Sequence, residues 1–260
     1  MVFIDTHAHL NDEAFAADLD EVISAALSVG AKRLLLPATD LQSAMQVAKI
    51  ADKYKECFPM LGLHPEDLNP EKAKELDELE KLLVSGHPFI AIGEVGLDYY
   101  WDSSYADLQK QVFRTQVEWS VKYKLPLMIH CRKAHNDLLA VLSVFPKEKL
   151  SGVFHCFSGT EEEAEQLLDY PGFCLGIGGI VTFKKSLLPQ VLSNSVPLER
   201  IVLETDCPYM APVPHRGKRN EPSFIPFIAA KLAEIYGVTT EYVMEVTTKN
   251  AEYIFPDINP

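Results

Sequence analysis

Residues 125–131 read LPLMIHC, an apolar run closed by a histidine and a cysteine. A near-continuous apolar run of this length reads as a strand buried on both faces, the pattern of a parallel sheet covered by helices. Seven further runs share it: VFIDTHAH (2–9), KRLLLPA (32–38), CFPMLGLH (57–64), FIAIGEVG (89–96), GVFHCFS (152–158), GFCLGIG (172–178) and RIVLETD (200–206). Between them lie segments of helical period at about 18–29, 41–54, 71–84, 104–123, 134–144, 161–169, 186–194 and 222–236, with a last one near 240–254. Thr160 ahead of Glu163 fits a capping box, and Asn220 ahead of Glu221 and Pro222 fits an N-cap. Eight strands, each followed by a helix, predict an α/β fold. In a chain of 260 residues the count favours a (β/α)8 TIM-like barrel over an open doubly wound sheet. No G-x-G-x-x-G follows the first strand, which weakens a dinucleotide-binding alternative. With no repeat, low-complexity segment or linker, residues 1–260 read as one barrel domain.

Composition narrows the setting. The chain is 47% hydrophobic and 23% charged, and no stretch approaches the roughly 18 apolar residues of a membrane span. The start, MVFIDTHAHL, has no basic region and carries Asp5 inside its apolar segment, so no secretory signal is expected. Cys57, Cys131, Cys156, Cys174 and Cys207 show no CxxC spacing, and most sit in strand-like runs. They are expected to be reduced, buried thiols of a cytoplasmic protein. The net charge of −13 gives no support for holding nucleic acid by bulk electrostatics. It leaves room for phosphate bound by a metal site with a few local cations, and clustered acids are what such a site needs.

The chemical signal is positional. His7 and His9 end the first strand, His64 the third, Glu94 lies on the fourth, His130 ends the fifth, His155 the sixth, and Glu204 and Asp206 the eighth. The C-terminal face of a barrel is where active sites are built. His7 and His9 are two apart, so on a strand both project from one face and can reach one ion. Joined by His130, His155, Glu94 and Asp206, they would leave several buried polar groups unpaired, at a cost of several kcal/mol that a shared metal removes. Mixed imidazole and carboxylate ligands suit Zn²⁺, Mn²⁺, Fe²⁺ or Mg²⁺ without choosing between them. Six ligands are too many for one tetrahedral ion, and a bridging carboxylate such as Glu94 predicts two divalent ions about 3.5–4 Å apart. Asp5 and Glu204, each two residues before a ligand candidate, read either as supporting hydrogen-bond partners or as buried acids paired with backbone.

The ordered set HAH (7–9), GLHP (62–65), GEVGLDYY (93–100), IHCR (129–132), HCFSG (155–159), ETDCPY (204–209) and RGKRNEP (216–222) resembles the signatures of TatD-type metal-dependent deoxyribonucleases of the amidohydrolase-like superfamily. The resemblance implies a (β/α)-barrel, two divalent metals and phosphodiester hydrolysis of DNA. By it, His7, His9, Glu94 and Asp206 would hold one ion, and Glu94, His130 and His155 the other. Related barrels often bridge their metals with a modified lysine; Glu94 stands there instead.

Metal-activated water would then be the nucleophile. Asp206 reads as the group that takes its proton or as a ligand only. Arg132 and the loop cations Arg216, Lys218 and Arg219, with Lys184 and Lys185, are candidates for phosphate or plain solvated charges. Tyr99, Tyr100 and Trp101 would stack on bases or pack their own loop. His64 would line the pocket or merely end a strand. The rival functions are hydrolysis of a small amide, lactone or phosphoester, and metal binding without turnover. The basic and aromatic loops suit a polymer better than a small neutral substrate, and the complete ligand set argues against a mere metal binder.

Overall fold

All eight apolar runs pair in parallel. The computed structural model describes residues 1–258. In it β1 (Phe3–Asp5), β2 (Ala31–Leu36) and β3 (Cys57–Pro59) form one ladder. A second runs in sequence order through β4 (Ile92–Asp98), β5 (Leu127–Arg132), β6 (Gly152–Phe154), β7 (Phe173–Ile177) and β8 (Ile201–Leu203). The ladders meet at two seams through single parallel bridges, Leu61 with Ile92 and Ala8 with Cys207. Backbone bonds reinforce both, Gly93 N to Leu61 O at 2.8 Å and His9 N to Cys207 O at 3.0 Å. The expected TIM-like architecture is therefore present, with its hydrogen-bonded wall interrupted twice rather than continuous.

Helices α1 (Leu19–Ser28), α2 (Leu41–Lys53), α3 (Glu75–Leu83), α4 (Ala106–Tyr123), α5 (His135–Leu142), α6 (Glu161–Leu168), α7 (Leu188–Ser195) and α8 (Ile225–Tyr236) alternate with the strands, and α9 (Thr240–Ile254) follows. None of them is long and apolar enough to cross a membrane. The Thr160–Glu163 capping box is formed, and Asp40 with Ser43 makes another at α2. The N-cap expected at Asn220 is not. Pro222 opens a 3-10 turn that precedes α8, and Asn220 is buried, its amide donating to Thr205 O at 2.8 Å and Tyr209 O at 2.7 Å. With the carbonyls of Thr205 and Tyr209 as partners, the side chain pins the loop after β8 instead of capping a helix.

Four strands stop well before the ends of their runs: β1, β3, β6 and β8 end at Asp5, Pro59, Phe154 and Leu203. Beyond those points the chain leaves the ladder to aim side chains inward, and Cys156 and Asp206 adopt φ of 50° and 56°. Such conformations are uncommon outside glycine and cluster at functional sites.

Strand alternation sorts the interior into layers. Ile4, Leu35, Met60, Ile90, Met128, Val153, Cys174 and Val202, one from each strand region, form an apolar cluster with Ile254, Phe255 and Ile258 from the C-terminal end of the chain. Two residues further along three strands stand His130, His155 and Glu204. The polar layer thus rests on an apolar one. All five cysteines are unpaired, and Cys57, Cys174 and Cys207 are buried.

Gly96 sits where β4 and β5 approach closely, at φ 146°, and a Cβ there would collide with the His130 carbonyl. Gly96→Ala is expected to cost about 2–4 kcal/mol through strain and overpacking, seen as a lower midpoint in thermal or urea unfolding. An unchanged midpoint would show that the strand pair can spread without penalty.

Candidate metal centre

Glu94 projects from the middle of β4 into the barrel with its side chain only 4% exposed. Its two oxygens face different partners. Oε2 lies 3.2 Å from His7 Nε2 and 3.4 Å from His9 Nε2, and Asp206 Oδ1 approaches the same imidazoles at 3.8 and 3.5 Å. Oε1 lies 2.7 Å from His155 Nε2, 3.0 Å from His130 Nδ1 and 3.3 Å from His64 Nε2. All six ligand candidates read from the sequence are brought together, and His64, expected only to line the pocket, joins them.

Hydrogen bonds alone do not satisfy this arrangement. His7 Nε2 and His9 Nε2 face each other at 3.1 Å, and His130 Nδ1 and His155 Nε2 at 3.2 Å. Within each pair one nitrogen can donate to the other, but both also face a single Glu94 oxygen, so whichever nitrogen accepts sets its lone pair against the carboxylate. His7 Nδ1 and His155 Nδ1 are buried without a partner. Donor atoms about 2.0–2.1 Å from a tetrahedral ion stand about 3.3 Å apart, which matches both sets. The residues therefore fit divalent cations, with Glu94 offering one oxygen to each side. His7, His9 and Glu94 form one group able to hold an ion, and His64, Glu94 and His130 another.

The field of the protein groups tells the same story. Burial would raise the Glu94 carboxyl, yet His155, His64 and His7 around it hold it well below the usual carboxylate range. Burial pushes His7 down to about 4. Burial also opposes charge on His130, but Asp98 and Glu94 outweigh it and carry the imidazole up to about 9. A cation bound there replaces that proton.

Support comes from three acids. Asp98, at the end of β4, escaped the sequence reading although it lies inside GEVGLDYY; its Oδ2 is 2.9 Å from His130 Nε2. A carboxylate behind a histidine fixes tautomer and ring orientation. Asp5 accepts from His7 N at 3.2 Å, Thr205 N at 3.0 Å and Thr205 Oγ1 at 2.6 Å, so it braces the backbone where β1 meets β8 and does not reach the imidazole ring. Burial raises it to about 7. Glu204 accepts from Cys156 N at 2.6 Å and stands 3.8 Å from His155 Nδ1. Burial and the nearby Asp206 push its carboxyl well above the ordinary range. Its space exists because residue 176 is glycine; a Cβ there would strike Glu204 Oε2.

A family model described as TatD related DNase matches residues 4–256. The chain belongs to the TatD-related DNase family. A Bacillus subtilis (strain 168) relative, named as an uncharacterized metal-dependent hydrolase, YabD, is 37% identical over 255 residues, which is 98% of this chain and 99% of that one. The 3'-5' ssDNA/RNA exonuclease TatD of Citrobacter rodentium (strain ICC168) is 31% identical over 256 residues, covering 96% of this chain and 97% of that one. The crystal structure of YJJV, a TatD homolog from Escherichia coli K12, superposes with a TM-score of 0.88 at 28% identity and 98% coverage of both chains. This TatD-family chain is thus related along nearly its whole length to metal-dependent hydrolases.

The residues proposed for substrate scatter more. A cavity of about 550 Å³ opens above Glu94, lined by Arg132, Trp101, Lys72 and Tyr209 among others. Arg132 stands at its edge. Tyr99 is half-buried, its hydroxyl donating to Asp137 Oδ2 at 2.9 Å, while Tyr100 and Trp101 are exposed. Arg216 stacks on Phe183, 3.8 Å from the ring centroid, in a separate hollow with Lys184 and Lys185; Lys218 is exposed on the same loop. Arg219 is held by Asp18 at 2.6 and 2.8 Å.

Two outcomes follow from this geometry. Glu94→Ala should lower bound metal in elemental analysis, and an unaltered content would remove its bridging role. Asp98→Asn should weaken metal affinity about 10–100-fold in chelator competition; wild-type affinity would mean that His130 is oriented without it.

Proposed function

We propose that this chain is a phosphodiesterase that uses two divalent ions to hydrolyse DNA, removing nucleotides from a 3′ end. The observation that carries the reading is Glu94, whose two oxygens serve two separate sets of imidazoles. That is the donor pattern a two-ion phosphodiesterase needs. Family membership and the activity named for the Citrobacter relative support the substrate class. The five unpaired cysteines are compatible with a cytoplasmic setting.

When bound, the ion pair supplies nucleophilic water at neutral pH and neutralises charge on the phosphoryl oxygens. The protein's own groups do the rest. Asp206 lines the cavity and keeps part of its carboxylate open to solvent, 16% of the side chain, so it can take the proton from the attacking water. Arg132, exposed at the cavity edge, meets a phosphate beside the one attacked. His7, His9, His64, His130 and His155 enclose the buried side and exclude bulk water from it.

A small-ester hydrolase is the second reading. It is favoured by the acids that line the cavity, where Asp12, Glu66 and Asp67 would face any polyanion.

The deciding experiment uses chelator-stripped protein with Mg²⁺, Mn²⁺ or Zn²⁺ restored, on 5′-labelled single- and double-stranded DNA. We expect a metal-dependent ladder shortening from the 3′ end, absent with Glu94→Ala. Asp206→Asn is expected to lower kcat about 10²–10⁴-fold while retaining most of the metal. Bound metal without cleavage of any DNA would overturn the nuclease reading in favour of the small-ester one.

A further inference from the structure

We propose that Tyr100, Trp101 and Arg132 form a stacking platform for the unpaired base next to the bond being cut. From this platform the strand runs into the groove between the loop after β5 and the loop after β6. The proposal rests on the nuclease reading and adds to it where, and in what conformation, the polymer lies.

Two hollows meet on the C-terminal face. One is the 550 Å³ cavity above Glu94; the other is a groove of about 840 Å³ lined by Tyr100, Lys133, Ser158 and Thr160 among others. Arg132 and His155 line both, so Arg132 stands on the ridge between the metal donors and the groove. Its guanidinium lies 3.6 Å from the Tyr100 ring centroid and 5.6 Å from that of Trp101. No carboxylate among the described residues pairs with it within 4.0 Å, whereas Lys72 is neutralised by Asp40 and Glu75. It is a positioned cation free to meet a phosphate.

The aromatic half is open to solvent. Tyr100 and Trp101 are 48% and 67% exposed and meet edge-on with centroids 4.8 Å apart. A base laid on such rings contributes about 1–3 kcal/mol, whatever its identity. A base inside a duplex already has neighbours on both faces and cannot do this, so the platform selects unpaired strands.

The loop is also held in register with the metal centre. Asp98 accepts from Tyr100 N through Oδ1 at 2.7 Å and faces His130 Nε2 through Oδ2 at 2.9 Å. Gln109 clamps the Asp98 backbone at both N and O, each at 2.9 Å. Tyr99 N donates to Arg132 O at 2.9 Å. One carboxylate therefore ties a metal donor to the platform, which suits a site that must place a base and a phosphorus atom together. Continuity sets the direction: Arg132 and His155 are shared by the cavity and the groove, and Arg132 and Lys133 stand in the groove beside the carboxylates Asp137, Glu162 and Glu163.

The test uses intrinsic fluorescence of the metal-loaded protein, because Trp119 is buried and Trp101 is the exposed tryptophan of the two. The probes are a phosphorothioate-linked decathymidylate and an abasic backbone of equal length. The decathymidylate should quench Trp101 and the abasic backbone should not. On cleavable single-stranded DNA, Trp101→Ala and Arg132→Ala should each raise KM at least about fivefold, with kcat within twofold, and Trp101→Phe should restore KM. Equal quenching by the abasic backbone, or wild-type KM in Trp101→Ala protein, would overturn the platform while leaving the nuclease reading intact. A wild-type enzyme that cuts and binds no oligonucleotide would remove that reading and the platform with it.

Discussion

A single buried carboxylate organises the upper half of this barrel. Glu94 is almost wholly removed from water, and an isolated ionised acid in that position would cost several kcal/mol after relaxation. Five imidazoles and the Asp206 carboxylate converge on it or on its partners, all within 4 Å. Protons on the histidines offset the charge when the protein is alone, and cations would do so better, because every nitrogen and oxygen facing the centre could then direct a lone pair at positive charge. Folding of this layer and cation binding are linked through the same atoms.

The rest of the scaffold can be understood as making that layer possible. Below it, one apolar residue from each strand region fills the barrel, closed by Ile254, Phe255 and Ile258. Room at the polar level comes from absent side chains: Gly176 clears space for Glu204, and Gly96 lets β4 approach the His130 carbonyl. Where β1 meets β8 the ladder is weak, and buried polar groups take over. Asp5 binds the backbones of His7 and Thr205, and Asn220 binds the carbonyls of Thr205 and Tyr209. These contacts fix the two segments that deliver His7, His9 and Asp206.

Much of this was legible in the sequence because buried parallel strands are continuous apolar runs, and their polar terminal residues have one face on which to converge. His130 and His155 follow from alternation alone, two residues after Met128 and Val153. Alternation fails on β1, where the chain bends at Thr6 and the parity of Ile4 does not carry to His7. That is why Asp5 turned out to brace backbone rather than a ring. Asp98 was hidden because an acid at a strand end preceding aromatics carries no mark of which histidine it will meet across the next strand. The loop cations are less legible. Arg216, Lys218 and Arg219 share the loop after β8 with Asp206, but loop residues lack a periodicity that would tell inward from outward; Arg219 is bonded to Asp18 and Arg216 lies over Phe183.

The acidic balance of the chain is compatible with a polyanionic substrate once distances are considered. On the proposed reading two divalent ions bring four positive charges against the two carboxylates Glu94 and Asp206, leaving the cavity floor positive. Asp12, Glu66 and Asp67 line the same cavity, with Asp40 held by Lys72, while charges farther off than a screening length of about 8 Å at physiological salt scarcely oppose that local field. What the net charge of −13 does remove is the broad basic face by which proteins hold duplex DNA without regard to sequence. A strand held only at a floor of ions, one stacked cation and two exposed rings contacts the protein through a few nucleotides. Such a footprint favours a flexible end that can enter the cavity over a long stretch that must lie across an acidic surface.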